Sequence, residues 1–145
     1  MKKIFVINGA NLDMLGAREP EIYGSETLSS IEKEVCEEAQ KLGYAVEFSQ
    51  FNGEGEIIGE LHRAYSEAAA VIINAGAYSH YSYAIADAVK LLNCPVVELH
   101  ISNIYAREEF RRKSVLSPYA TAVICGAGAF GYTLAVDAVD RLIKK

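Results

Sequence analysis

The sequence predicts an α/β protein built around one parallel sheet of five strands, with helices on both faces. Five short apolar runs alternate with amphipathic segments along the 145 residues. Continuous apolar runs are typical of parallel strands that are covered on both faces. Alternating strands and helices favour one doubly wound sheet, and five strands favour the flavodoxin-like order 2-1-3-4-5. We expect a single domain over residues 1–145.

Each element follows from a local pattern. The apolar runs predict strands at residues 4–7, 45–48, 70–73, 96–99 and 122–125. The second run combines apolar residues with a polar one, so we expect it nearer an edge of the sheet. Helical patterns predict helices at residues 28–42, 57–68, 83–92 and 131–143, and a shorter, charged helix at residues 107–113. Gly43 is expected to end the first of these helices.

Composition excludes several classes of protein. The formal net charge of -5 disfavours a nucleic-acid partner, because such domains usually present a basic stripe. No apolar run approaches the length of a membrane span, and the first run is too short for a signal peptide. We therefore expect a cytoplasmic protein with no membrane partner. The three cysteines form no C-x-x-C pair, and we expect reduced, mostly buried thiols.

Polar residues follow several of the predicted strands. In a doubly wound sheet, ligands bind outside the carboxyl ends of the strands. Asn8 and Asn11 follow the first strand, Asn74 and His80 the third, and residues 98–103 (ELHISN) span the end of the fourth. The loop over residues 9–26 is long for such a fold. Loops of this length are usually functional or disordered, and its apolar residues argue against disorder.

Two pairs of residues could take part in proton transfer. Glu98 and His100 are two apart on a strand, so their side chains share a face. A carboxylate fixes the tautomer of a neighbouring imidazole and favours its charged form, although the pair could also be purely structural. His80 and Asp87 are seven apart and would share a helix face, but Asp87 could simply solvate that helix.

Arginines and a tyrosine form the remaining candidates. Arg107 and Arg111 are four apart and would share a helix face. They could bind a carboxylate or hydroxyl-rich ligand, or form solvated ion pairs with the adjacent glutamates. Arg18 and Tyr23 lie in the long loop. A nearby guanidinium favours the phenolate and could make Tyr23 a base, whereas the alternative is a ring packed on Pro20.

The remaining patterns give weaker indications of function. Residues 126–131 read GAGAFG and match G-x-G-x-x-G, but the sequence continues with neither a second βαβ unit nor a ribose-binding acid. We expect these glycines to permit close packing of a helix on a strand. The three histidines show no i, i+4 pair, so we expect no metal site.

Four blocks at the strand ends carry a resemblance that covers nearly the whole chain. They read INGANLDMLGAREPEIYG (7–24), INAGAYSHYS (73–82), VELHISNIYAREEFRRKS (97–114) and GAGAFGY (126–132). On these blocks the chain resembles type II 3-dehydroquinate dehydratases. The family's usual pattern changes at Ala10, where proline is common, and at residues 51–55, which read FNGEG.

The resemblance implies a catalytic domain that removes water from 3-dehydroquinate, without metal or cofactor, in the shikimate or quinate pathway. It implies a catalytic set with Tyr23 as base, Arg18 as its activator, Asn11 at the enolate, His100 as proton donor and Glu98 orienting it. It also implies that substrate-binding groups come from Asn74, His80, Asp87, Ile101, Ser102 and Arg111. Asp87 would reach the site of a neighbouring subunit in a homododecamer of four trimers.

Rival classes of the same fold fit less well. A flavin electron carrier needs a Ser/Thr-rich phosphate loop after the first strand, and a phosphoacceptor receiver needs an aspartate where Asn74 stands. A Schiff-base dehydratase needs a buried lysine, whereas the eight lysines fall at termini or on polar helix positions. A non-catalytic oligomeric scaffold remains open, and it predicts no turnover.

Overall fold

In the part of the chain that the structure describes, five parallel strands form one sheet. They are β1 (Lys3–Asn8), β2 (Ala45–Gln50), β3 (Ala70–Asn74), β4 (Val96–His100) and β5 (Ala122–Cys125). Their order is β2-β1-β3-β4-β5, which confirms the predicted fold class and places the mixed second run at an edge. The computed structural model describes residues 1–17, 19–23 and 25–145, without the side chains of Pro20 and Tyr23.

Within the residues that the structure describes, five α-helices connect or flank the strands. They are α1 (Pro20–Tyr23), α2 (Leu28–Lys41), α3 (Glu54–Glu67), α4 (Tyr83–Leu91) and α5 (Gly131–Lys144). A capping box begins α2, because Thr27 and Ser30 each accept the other's backbone N–H at 3.1 Å. Across residues 1–17, 19–23 and 25–145, no helix has both the length and the apolar character needed to cross a membrane.

The sheet has a separate apolar core on each face. Successive side chains of β1 alternate between the faces, so Ile4 and Val6 pack towards α2 and α5, while Phe5 and Ile7 pack towards α3 and α4. All four side chains are at most 1% exposed. This double coverage explains why the central strands appear in the sequence as continuous apolar runs.

The helix predicted at residues 107–113 is wrong. A short 3-10 segment, Glu109–Arg112, lies there instead, and extended backbone at Arg107 ends an earlier 3-10 segment, Ile104–Ala106. Most of the stability of a short helix comes from packing an apolar stripe, and the segment Glu109–Arg112 contains no buried residue. The β4–β5 connection is therefore irregular, which matters for the site described below.

The long loop after β1 is anchored at its start. Residues Leu12–Met14 form a 3-10 turn, and Leu12 and Leu15 are buried against the α2 and α5 side of the sheet. These two leucines thus anchor the loop, whereas Met14 and Ile22 are exposed.

The cysteines are free, as predicted, but all three are half-buried rather than mostly buried. Cys36 lies beside the buried stripe of α2, which contains Ile31, Val35 and Ala39. Cys125 ends an edge strand. These positions leave part of each of these two thiols uncovered.

Candidate active site

A pocket lies at the carboxyl edge of the sheet, where the segments after β1, β3 and β4 meet. Asn8 pairs with Asn74 in the ladder, and the register of β3 and β4 carries His100 one residue further towards the pocket. The pocket is lined by seven of the predicted site residues, namely Asn11, Asn74, His80, His100, Ile101, Ser102 and Arg111. The sheet brings these side chains together, whereas their roles stay predictions.

A buried carboxylate supports the histidine at the floor of the pocket. Oε2 of Glu98 lies 2.5 Å from Nε2 of His100, and the hydroxyl of Ser117 donates to Oε1 at 2.5 Å. Burial alone would raise the pKa of Glu98, but hydrogen bonds from His100, Ser114 and Ser117 outweigh it and hold that pKa below its ordinary value. Glu98 is therefore an ionised partner that fixes the orientation of the imidazole.

His80 is a second imidazole beside the first. Its Nδ1 donates to the backbone carbonyl of Lys113 at 2.8 Å, so Nε2 is the nitrogen that can accept a hydrogen bond when the ring is neutral. Burial lowers the pKa of His80, and the nearby charges of His100 and Arg111 lower it further, against the effect of the carbonyl and of Glu98. A neutral His80 suits a ligand hydroxyl.

Two arginines supply positive charge to the pocket. Arg107 and Arg111 both line it, and their side chains are only 13% and 16% exposed. Nη1 of Arg107 donates to the hydroxyl of Ser102 at 3.2 Å, and Nε of Arg111 lies 3.3 Å from Glu108 Oε2. Such guanidinium groups favour a carboxylate ligand.

The two arginines do not share a helix face, contrary to the expectation, because they lie in an irregular connection. They still converge on one pocket. The sequence offered both arginines as candidates for binding a ligand, but the set of residues implied by the family resemblance contained only Arg111. The sequence did indicate a place for Arg107 in the site, because both arginines follow the carboxyl end of β4, where ligands bind in this fold.

Asn11 has an unusual backbone conformation at the pocket wall. Its φ is 71°, in the left-handed region that asparagine tolerates better than most residues. Its backbone N–H donates to Oδ1 of Asn52 at 3.0 Å, and Gln50 Nε2 donates to the same oxygen at 2.9 Å. The Asn52 carbonyl in turn accepts from the hydroxyl of Tyr78 at 2.8 Å. Asn52 therefore ties the loop after β1 to the loop after β3.

Close packing of those two loops depends on Gly9. A Cβ on Gly9 would lie 2.4 Å from the carbonyl oxygen of Ala75, which backbone atoms could not accommodate. Gly76, with φ of 63°, lies against Ala10 in the same contact. Any larger side chain at residue 9 would push apart the two strand ends that form this side of the pocket.

Asp87 lies outside the pocket. It is exposed on α4, whereas His80 ends a separate 3-10 segment, Gly76–His80. The predicted shared helix face is wrong because α4 begins only after Ser82, whose hydroxyl accepts the N–H of Ile85 at 3.1 Å as an N-cap.

The two loop candidates are the least described. Arg18 lies outside the described residues, and Tyr23 ends α1 without a described side chain. Their predicted contact therefore stays a prediction.

In the glycine motif after β5, Gly131 is the glycine that packs a helix against a strand, as expected. Gly126 and Gly128 have φ of 88° and 66°, values that favour glycine. A Cβ on Gly131 would lie 2.9 Å from Cδ1 of Leu99, so this glycine lets α5 approach β4. Among the described residues, no group of three His, Cys, Asp or Glu side chains could hold a metal ion.

Comparison with known proteins gives a consistent result. Residues 2–140 match the model of the family described as Dehydroquinase class II. The chain is 54% identical over 144 residues to a 3-dehydroquinate dehydratase of Caldicellulosiruptor bescii, covering 99% of both chains. It is 53% identical over 139 residues to 3-dehydroquinate dehydratase 1 of Agrobacterium fabrum, covering 96% of each. The crystal structure of a type II dehydroquinase from Propionibacterium acnes superposes with a TM-score of 0.94 at 45% identity, covering 97% of both chains.

Proposed function

Because the chain belongs to the dehydroquinase class II family, we propose that it removes water from 3-dehydroquinate to give 3-dehydroshikimate as a single catalytic domain. The observation that supports this most strongly is that His100, held from behind by Glu98, lines one pocket together with two arginines. The pair can deliver a proton to a leaving hydroxyl, and the arginines favour an anionic substrate.

The first step is removal of a proton alpha to the ketone. Tyr23 takes this proton as the base, and Arg18 stabilises its phenolate. The carbon–hydrogen electron pair moves into the ring, and the ketone becomes an enolate. Asn11 holds a water molecule that donates a hydrogen bond to the enolate oxygen. The REPEIYG motif and the family resemblance support the roles of Tyr23 and Arg18.

The second step is loss of the hydroxyl group. The enolate collapses back to a ketone, the new double bond forms, and the carbon–oxygen bond breaks. His100 donates a proton to the departing oxygen, so the leaving group is water. Glu98, whose Oε2 lies 2.5 Å from Nε2 of His100, orients the imidazole for this transfer. Separate acid and base groups whose proton affinities are tuned by their surroundings are a common solution to this chemistry.

Substrate binding uses groups that line the pocket. Asn74 and the backbone of Ile101 and Ser102 bind the carboxylate, while His80 and Arg111 bind ring hydroxyls. Neither a metal nor a cofactor takes part. The low exposure of Arg111 and the burial-lowered pKa of His80 support these assignments.

Assembly is part of the proposal. We expect a cytoplasmic homododecamer of four trimers in which Asp87 reaches a neighbouring subunit's site. Exposed aromatic side chains near α4, including Tyr81 and Tyr83, suit burial between subunits. Sedimentation equilibrium would measure the mass directly, and a monomer at working concentration would contradict this part.

The proposed reaction has a simple assay. Purified protein and 3-dehydroquinate, with a chelator present, should produce the ultraviolet absorbance of the conjugated enone. Tyr23→Phe should abolish kcat while leaving the fold intact. Absence of signal from folded wild-type protein would contradict the enzyme hypothesis and favour a scaffold. Inactivation by borohydride with substrate would indicate a lysine imine instead.

A further inference from the structure

A chain of four hydrogen bonds runs beneath the pocket. Tyr132, near the start of α5, is 1% exposed, and its hydroxyl donates to Oδ1 of Asn8 at 2.6 Å. The same hydroxyl oxygen accepts from Nδ2 of Asn74 at 3.0 Å. Asn8 Nδ2 donates to the backbone carbonyl of Ser49 at 3.0 Å, and the backbone N–H of Gly76 donates to Asn74 Oδ1 at 3.2 Å. The chain links β1, β2, β3 and α5.

The backbone carbonyl of Ser49 and the backbone N–H of Gly76, at the two ends of this chain, fix the direction of every hydrogen bond between them. A carbonyl only accepts and an N–H only donates, so Asn8 presents its nitrogen to Ser49 and its oxygen to Tyr132. The tyrosine oxygen then accepts from Asn74, whose own oxygen is held by Gly76. The orientation of an amide is often ambiguous, but here the fold leaves one consistent arrangement.

The Asn74 amide is the point where this chain meets the site. Asn74 lines the pocket and is 5% exposed. Its nitrogen has two hydrogens, and one of them is used by Tyr132. We infer that Tyr132 is a positioning residue of the substrate site, whose hydroxyl holds the Asn74 amide so that its second N–H can donate to a substrate oxygen. This inference rests on the proposed function, in which Asn74 binds the substrate carboxylate.

The chemistry of Tyr132 suits a hydroxyl that donates one fixed hydrogen bond and accepts another. Burial raises the pKa of Tyr132, against the opposing effect of the hydrogen bond from Asn74. The phenol therefore keeps its proton throughout the neutral range and continues to donate to Asn8. A deprotonated oxygen could not donate to Asn8 Oδ1, which the Ser49 carbonyl keeps turned towards Tyr132.

Steady-state kinetics with 3-dehydroquinate test the inference. Tyr132→Phe should raise KM about fivefold and change kcat less than twofold, because one neutral hydrogen bond that orients a binding group is lost. Tyr44→Phe is the matched control. It removes another interior tyrosine hydroxyl, which donates to Oδ1 of Asp140 at 2.7 Å, and it should leave KM unchanged.

A double-mutant cycle separates positioning from general loss of stability. In an Asn74→Ala background, Tyr132→Phe should cause no further rise in KM. An unchanged KM for Tyr132→Phe, or an equal rise in both backgrounds, would overturn the inference.

Two further outcomes are informative. If Tyr132→Phe does not fold, Asn8→Ala is the second variant, and it should raise KM by a similar factor because it removes the acceptor that holds the Tyr132 hydroxyl in place. An unchanged KM for Asn8→Ala would overturn the inference. Folded wild-type protein without turnover would overturn the proposed function and the inference with it, whereas active wild type with an unaffected Tyr132→Phe overturns the inference alone.

Discussion

The ring of His80 stacks on the ring of His100, with centroids 6.0 Å apart and planes inclined by 20°. Phe110 meets His80 edge-on at 6.1 Å, and so covers part of this pair. Two stacked imidazoles repel each other when both are charged. The two rings have different hydrogen-bond partners. His100 is paired with the Glu98 carboxylate, whereas His80 donates to a backbone carbonyl.

The lowered pKa of His80 predicts a loss of stability in acid. A histidine in the unfolded chain titrates near 6.5. Burial, together with His100 and Arg111, places the folded pKa of His80 below this value, although Glu98 and the Lys113 carbonyl oppose the shift. The unfolded chain therefore binds the proton first as the pH falls, and the stability present above about pH 6.5 is lost progressively below it.

Urea unfolding of wild type and His80→Gln between pH 5 and pH 8 would check this. The wild type should lose free energy of unfolding relative to the variant as the pH falls. A difference that grows in favour of the wild type in acid would show that the pKa of His80 is raised instead.

Glu98→Gln should lower kcat about 100-fold, within the usual range for loss of general acid catalysis. The glutamine amide keeps one acceptor oxygen, whereas Glu98 accepts from both His100 and Ser117. The charged form of His100 would also lose its counter-charge. The measurement is kcat in folded protein, with Glu47→Gln as control, because Glu47 pairs with Lys3 and Arg63 at the surface. Wild-type kcat in Glu98→Gln would leave the pair a purely structural role.

Arg111→Ala should raise KM about tenfold, because a charge-assisted hydrogen bond to the substrate is lost. Arg112→Ala is the natural control, since it removes the same charge from an exposed position one residue away. Steady-state kinetics on both variants would separate a local contact from general attraction of an anion. Equal changes in the two variants would argue that only net charge matters.

Asn52 offers a test of how the pocket wall is held. Asn52→Leu removes the oxygen that accepts from the Asn11 N–H and from Gln50. It should lower kcat about fivefold, since one neutral hydrogen bond is worth about 1 kcal/mol. Asn52→Asp keeps an acceptor at the same place and should stay within twofold of wild type. Similar losses in both variants would mean that the Asn11 contact does not matter for turnover.

The predictable part of the fold is the part encoded by local pattern. Apolar runs and stripes gave the strand order and four of the five helices, because burial of those side chains drives their formation. The helix predicted at residues 107–113 is absent, because a segment with helical charge spacing but no apolar stripe has no face to pack. Spacing alone also placed Glu98 beside His100 correctly, two residues apart on one strand.

Long-range hydrogen bonds could not be predicted in this way. Tyr132 and Asn8 are 124 residues apart in sequence, and Asn52 and Asn11 are 41 apart. Such pairs leave no periodic signal, because each partner is fixed by the packing of separate elements. The division between binding groups and the residues that orient them therefore emerges only from the folded chain.

The central claim is that Tyr23 and His100 perform separate steps, and hydrogen exchange in D2O tests it most directly. Proton NMR would follow deuterium entry alpha to the ketone of 3-dehydroquinate. His100→Ala should incorporate deuterium without releasing dehydrated product, because Tyr23 still forms the enolate, whereas Tyr23→Phe should do neither. Deuterium incorporation by Tyr23→Phe at the rate seen with His100→Ala would contradict the assignment of Tyr23 as the base.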